Sequence, residues 1–286
     1  MTRGLFASDL HGRLDRYQKL LAAIEAERPQ VLFLGGDLLP FVVPLRAGAE
    51  GGPDFLVDWL APRLDALRSR LGKAYPRVLA IFGNDDPRSE EPRLLALQER
   101  GLIEYAHARR LALGAFTLYG YACVPPTPFR LKDWERYDVS RFVDPGSVSP
   151  EEGQRSLPAD ADDVKWGTIA ADLERLAGSD ELSHAVCLFH SPPYATSLDR
   201  AALDGRAIDR APLDVHVGSI AIRRFIEARQ PLVTLHGHVH ESARLTGRWS
   251  DRIGRTVCLS AAHDGPELAL VALDLEAPER ATRRLV

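Results

Sequence analysis

The chain is poor in several residue types. Its 286 residues include one asparagine, one methionine and three cysteines, and only four lysines against 32 arginines. Cys123, Cys187 and Cys258 are far apart, odd in number and set among apolar neighbours. That excludes a disulfide framework and reads as buried thiols in a reducing compartment. There is no basic excess: the formal net charge is −4, which removes any general electrostatic case for nucleic acid. Arg63 to Arg70 alternates with Leu and Asp at helical spacing and reads as a solvated helix face. The N-terminus has no charged-then-apolar leader pattern, and no apolar run is long enough to span a bilayer. The expectation is a cytoplasmic protein without membrane contact. At 45% hydrophobic and 27% charged, it can bury one large core, and we expect one domain over residues 1–286.

The single asparagine is informative. A bias of arginine over lysine suggests drift toward GC-rich codons, which also removes asparagine. The one that survives, Asn84, stands in the block FGND. Four other blocks resemble it in kind: SDLHG with Asp9 and His11, GGD with Asp37, FHSPP with His190, and HGHVH with His238 and His240. Each ends an apolar stretch that reads as a strand, so seven metal-ligand side chains are expected at one edge of one sheet.

The hydrophobic pattern supports that placement. Short apolar runs over Gly4–Ser8, Val31–Leu34, Val78–Phe82, Ala185–Phe189 and Pro231–Leu235 read as strands. Helical periodicity marks Leu14–Ala26, Asp54–Leu71, Pro92–Arg100, Trp166–Leu176 and Ser219–Ala228. Strand and helix alternate in the first third, which predicts an α/β fold with parallel strands. Leu111–Leu113 and Phe116–Tyr121 predict a hairpin. Ser191–Val217 reads as a long loop, and Ser242–Thr246, Thr256–Ala261 and Leu268–Asp274 as antiparallel strands. Residues 124–165 have no period but carry Phe129, Trp134, Tyr137 and Phe142, and we read them as an insertion lying over the site.

An Asp and a His two apart at a strand end can reach one cation from a single loop. Mixed carboxylate and imidazole donors suit Mn, Fe, Co or Zn better than Mg or Ca. Seven candidates exceed what one tetrahedral zinc needs, whereas two ions sharing a carboxylate use them all. Two dications and two carboxylates, with a hydroxide between the ions, leave about +1, still attractive to a phosphate anion. Singly, each block has an ordinary explanation: Asp9 as a helix cap, Gly83-Asn84 as a tight turn. Five blocks, each after a strand, fit a metal site better.

The order D-x-H, G-D, G-N, lone His, G-H-x-H resembles the calcineurin-like metallophosphoesterase superfamily, and HSPPY with HGHVHES resembles its Icc-related group. The resemblance implies a four-layer α/β/β/α sandwich of two mixed β-sheets flanked by helices. It also implies two divalent ions, from among Mn, Fe, Zn, Co and Ni with manganese favoured. Asp9, His11, Asp37 and His240 would hold one ion, and Asp37, Asn84, His190 and His238 the other. The implied activity is hydrolysis of a small phosphodiester or phosphomonoester.

The sequence departs from the family pattern twice. Pro40 replaces a non-ligand carboxylate. Asp85 replaces the histidine of G-N-H, which predicts weak help for poor leaving groups. Asp85, His236 and His216 are the catalytic candidates, with Arg88 and Arg130 as possible phosphate contacts. His263 reads as structural, and His107 and His184 read as ordinary surface or strand residues. The competing readings are a non-catalytic metal-binding scaffold and a nuclease of the same superfamily. The acidic balance argues against the nuclease.

Overall fold

The computed structural model describes residues 2–40 and 54–286. Its strands are β1 (Arg3–Ala7), β2 (Val31–Gly35), β3 (Arg77–Ile81), β4 (Glu104–Tyr105), β5 (Arg109–Leu113), β6 (Phe116–Tyr121), β7 (Ala185–Phe189), β8 (Ala207–Ile208), β9 (Ala211–Pro212), β10 (Val233–His236), β11 (Ser250–Ile253), β12 (Thr256–Ser260), β13 (Ala269–Asp274) and β14 (Thr282–Leu285). The helices are α1 (Leu14–Glu27), α2 (Ala61–Leu71), α3 (Glu91–Glu99), α4 (Ala161–Trp166), α5 (Ile169–Ala177), α6 (Ile220–Arg229) and α7 (Ser242–Thr246). A π-helical turn over Phe55–Leu60 leads into α2.

Two six-stranded sheets form the centre, in the orders β14-β13-β1-β2-β3-β4 and β11-β12-β10-β7-β6-β5. Each has a run of four parallel strands, β1 to β4 in the first, where β4 is the edge, and β12, β10, β7 and β6 in the second. Antiparallel strands flank the first set on one side (β13, β14) and the second on both sides (β11, β5). Strands β2, β7 and β12 are buried along their whole length, as expected where both faces of a parallel sheet are covered. The sheets meet through β2 against β7 and β3 against β6. Helices lie outside, giving the mixed two-sheet α/β sandwich that the family resemblance implied.

The structure corrects five expectations. The ligand blocks sit at the edges of two sheets rather than one: β1, β2 and β3 deliver three of them, β7 and β10 the other two. Ser242–Thr246 is the helix α7, closed by Gly247 in the left-handed region at φ 71°. A five-residue stretch with little apolar period cannot be told from a strand by pattern alone. Thr256–Ser260 runs parallel to β10 and antiparallel only to β11, against the all-antiparallel expectation, and β14 is an additional strand. The long loop 191–217 contains the two-residue pair β8–β9. Among the described residues no helix is long and apolar enough to cross a membrane. All three cysteines are free and buried.

Candidate metal centre

Parallel strands in register bring their C-terminal loops side by side. Ala7 pairs with Leu34 and Gly35 with Ile81, so the loops after β1, β2 and β3 leave the sheet together. Backbone bonds then zip the first two loops: Asp9 N to Gly36 O at 2.9 Å, His11 N to Asp37 O at 2.8 Å, and Gly12 N to Leu38 O at 2.9 Å. From the other sheet, Gly237 N donates to His190 O at 2.9 Å and His238 N to Asp9 Oδ1 at 3.0 Å. Asp9, His11, Asp37 and His238 all adopt left-handed backbone, with φ of 57°, 46°, 52° and 72°. Such conformations are costly for residues with a Cβ and persist where surrounding structure imposes them.

The side chains converge in two groups that share Asp37. In the first, one donor atom from each of Asp9, His11, Asp37 and His240 lies within 4.8 Å of the others, a set that can hold a metal ion. His11 Nε2 is 3.2 Å from His240 Nε2, and His240 Nε2 is 3.2 Å from Asp9 Oδ1. In the second, His190 Nε2 lies 3.1 Å from Asn84 Oδ1 and 3.3 Å from Asp37 Oδ2. His238 packs against His190 with ring centroids 5.3 Å apart. His190 Nδ1 donates to the Gly35 carbonyl at 2.7 Å, which leaves Nε2 as the nitrogen that faces Asp37 and Asn84.

The electrostatics fit a cation. Asp9 Oδ2 is buried with no hydrogen-bond partner, an arrangement that is costly without a positive charge beside it. Burial opposes charge throughout the cluster. Even so, His240 holds the Asp9 carboxyl below its ordinary value, and His190 does the same for Asp37. The carboxylates in turn overcome burial at His190 and His240, whose imidazoles are held up at about 10 and about 9. Protons there supply the positive charge that a divalent ion would supply instead, releasing them. Burial pushes His238 the other way, down to about 3. Oxygen and imidazole donors of this kind suit divalent transition metals.

Glycines make room for the cluster. A Cβ on Gly83 would lie 2.3 Å from Asp37 Oδ1 and 2.5 Å from His190 Nε2; one on Gly237 would lie 2.6 Å from Asp9 Oδ2.

Asp85 borders the site. Its Oδ2 is 3.6 Å from His11 Nδ1, and its N–H donates to Asp37 Oδ1 at 2.9 Å. Burial and then the Asp37 charge push its carboxyl up to about 7; a dication nearby would pull it down. His236 lies behind the cluster, fully buried, its Nδ1 donating to Ser191 O at 2.9 Å and its Nε2 accepting from the Thr234 hydroxyl at 2.7 Å. Burial pushes it down to about 3, so it is neutral and both nitrogens are engaged. His216 lines a cavity that His238 also lines, and its Nδ1 donates to the buried Asp199 carboxylate at 2.8 Å.

The remaining candidates lie elsewhere. Arg88 stacks over Trp134 at 5.1 Å and lines a different cavity, and Arg130 is exposed. His263 pairs with Glu267 at 3.0 Å. His107 packs edge-on to Trp134, with centroids 4.8 Å apart, and His184 sits beside Phe116.

Sequence reasoning missed three residues that build the centre. Fully buried Asp86 accepts from Leu38 N, Leu39 N and Gly83 N, tying the Asp37 loop to the Asn84 loop. Its place after Asp85, at the acidic end of the G-N-H-D/E pattern, was the available signal. Arg16, buried on α1, donates to Asp9 O at 2.6 Å and Gly265 O at 2.6 Å. Asp199 accepts from the N–H groups of Ala195, Thr196 and Gly218 as well as from His216. Nothing in the sequence marked either of these two.

No curated protein matches the chain in sequence. Among solved structures, one crystal structure is 17% identical at a TM-score of 0.60, covering 99% of this chain and 98% of the other. The crystal structure of TT1561 from Thermus thermophilus is 14% identical at a TM-score of 0.55, covering 99% and 98%. At such identities the likeness concerns the fold. The family model for calcineurin-like phosphoesterases matches residues 2–242, and the chain therefore belongs to the calcineurin-like phosphoesterase family.

Proposed function

We propose that the protein is a dinuclear metal-dependent phosphoesterase that hydrolyses a small phosphodiester or phosphomonoester. The carrying observation is the pair of donor groups meeting at Asp37: Asp9, His11 and His240 on one side, Asn84 and His190 with His238 on the other. In this reading Asp37 would be shared by the two ions, Asp9, His11 and His240 would complete one site, and Asn84, His190 and His238 the other. Two divalent ions so held would lower the pKa of a water and neutralise phosphoryl oxygens.

The chain's own residues do the rest. Left-handed Asp9, His11 and Asp37 aim their side chains at one point before any ion arrives, so little reorganisation is needed on binding. His190 is fixed in one tautomer by Gly35 O. Asn84 keeps the second site less negative than a carboxylate would, which favours an anionic substrate. Asp85 stands where the family pattern has histidine and has no imidazole to offer a leaving group. His216, oriented by Asp199, is the imidazole on the cavity wall and is assigned the proton transfer to leaving groups that need one. His236 is assigned a supporting role, since its ring is spent on Ser191 and Thr234. Residues 124–165 form part of the pocket wall within a single domain over residues 1–286.

Metal-stripped protein, reconstituted with Mn, Zn, Mg or nothing, tests the reading on bis(p-nitrophenyl) phosphate and p-nitrophenyl phosphate. We expect metal-dependent hydrolysis that Asp37→Asn abolishes, with the diester preferred. Metal binding without turnover of either ester would refute the enzymatic reading and favour a scaffold.

A further inference from the structure

Beside the metal centre lies a cavity of ≈ 590 Å³, in the range that holds a small organic ligand. It is continuous with the centre because His238 and Val239 line it. Two segments build the opposite walls. Residues 125–147 contribute Phe129, Val139 and Phe142; residues 194–218 contribute Ile208 and Leu213. Hydrogen bonds tie the walls to their surroundings. Thr127 is held by the Glu135 carboxylate through its N–H and hydroxyl, and Asp138 accepts from Ser219 Oγ and Ile220 N at the start of α6. Tyr194 OH donates to Asp214 at 2.6 Å on the facing segment.

Two features narrow the occupant. The first is uncovered apolar surface: Phe129 is 58% and Phe142 is 70% exposed, although both border the cavity. Clustered exposed aromatics beside a site mark a surface that something apolar covers. The second is the sign of the charge. Asp138, Asp144, Asp214 and Glu241 line the cavity against one guanidinium, Arg206, and Asp138 is already engaged by Ser219 and Ile220. A second anionic group on the substrate would face four carboxylates there. The arginine-rich cavity of ≈ 420 Å³, lined by Arg88, Arg110, Arg136, Arg155 and Arg175, has none of the metal-ligand candidates in its wall.

We propose that this cavity receives the organic arm of the phosphate ester, and that the arm is an uncharged alkyl or aryl group rather than a sugar phosphate, a nucleotide polyphosphate or a carboxylate-bearing chain. The proposal deepens the phosphoesterase reading and rests on it for the placement of the phosphoryl group.

The test varies one arm while the p-nitrophenolate leaving group stays constant: ethyl, hexyl and 5-carboxypentyl p-nitrophenyl phosphates as substrates, with the matching non-hydrolysable phosphonate esters for binding by calorimetry. Each methylene buried should improve kcat/KM and affinity by up to about fourfold. We therefore expect hexyl to exceed ethyl by at least ~10-fold in both, and 5-carboxypentyl to fall at least ~10-fold below hexyl, as a carboxylate facing like charges would. Phe142→Ser and Ile208→Asp, both at exposed positions, should bring the hexyl-to-ethyl ratio of kcat/KM and of phosphonate affinity close to one, a change of ratio that a general structural defect would not produce. Equal values for ethyl and hexyl, or a preference for the carboxylate arm, would overturn the proposal. If no ester is turned over but the phosphonates keep the hexyl preference and the variants lose it, the cavity proposal stands and the enzymatic reading falls.

Discussion

Asp86 offers a sharp test of how the centre is held. Its carboxylate accepts from Leu38 N at 3.0 and 3.1 Å, Leu39 N at 2.8 Å and Gly83 N at 2.8 Å, with the side chain fully buried. Burial and the Asp37 charge push this carboxyl up, to about 7, while the three N–H donors hold it down. Each oxygen faces N–H groups, so the ionised form fits the geometry. Asp86→Asn keeps the shape but turns one oxygen into an NH2 group. That group must oppose either Leu39 N or Gly83 N, leaving one buried donor without an acceptor. The expected loss is about 2 kcal/mol. Asp86→Ala frees all three donors, and the expected loss is about twice that. Urea unfolding of the native protein and both variants measures it, with metal content after desalting as a second reading. Because the three donors belong to the loops of Asp37 and Asn84, both variants should also hold the metal at the second site more weakly. An Asn variant within about 0.5 kcal/mol of native, with full metal content, would refute the argument, since it would show that the loops keep their arrangement without the carboxylate.

Further expectations follow from the same geometry. Gly83→Ala places a methyl 2.3 Å from Asp37 Oδ1, so metal analysis should find at least one ion lost while circular dichroism stays native; a full complement would count against a shared Asp37. Lys132 and Glu135 form a fully buried ion pair, and burial holds Glu135 up at about 7. Lys132→Met alone should destabilise by roughly 3–5 kcal/mol in urea unfolding, with Lys132→Met/Glu135→Leu recovering much of it. His107 accepts from Ala122 N at 3.0 Å, and burial pushes its imidazole down to about 3. Its folded pKa lies below the unfolded value near 6.5, so its contribution is complete above about pH 6.5. It then declines by up to about 1.4 kcal/mol per unit as pH falls toward 3. His107→Gln should flatten the fall in unfolding midpoint between pH 7 and 5 relative to native protein; identical slopes would refute the assignment.

Much of the fold was legible because its inner strands are short, wholly apolar and separated by helices with a clear period. Leu14–Glu27 and Ala185–Phe189 fall within a residue or so of the expected bounds. What misled the reading was local ambiguity. Ser242–Thr246 is too short for its period to decide, and β14 (Thr282–Leu285), exposed at an edge, has no apolar run to announce it. The sequence also gives no account of which sheet each block joins, since pairing partners such as β10 and β12 are set by packing between distant segments.

The order and chemistry of the donor blocks are properties of the sequence: an Asp or His that follows an apolar strand is delivered to the end of that strand whatever surrounds it. Convergence is a tertiary result. Only the facing of the two sheets brings His190 Nε2 to 3.3 Å from Asp37 Oδ2 across 153 positions of chain (190 minus 37). Asp86 and Arg16 likewise reach distant partners, Leu38 and Leu39 for the first and Gly265 for the second, and Asp199 joins the nearby Ala195 and Thr196 to His216 and Gly218. The cavity also depends on two irregular segments brought together by capping and side-chain hydrogen bonds, which leave no period to read. Short-range pattern records what a strand or helix must bury, and it is silent on contacts made across the core.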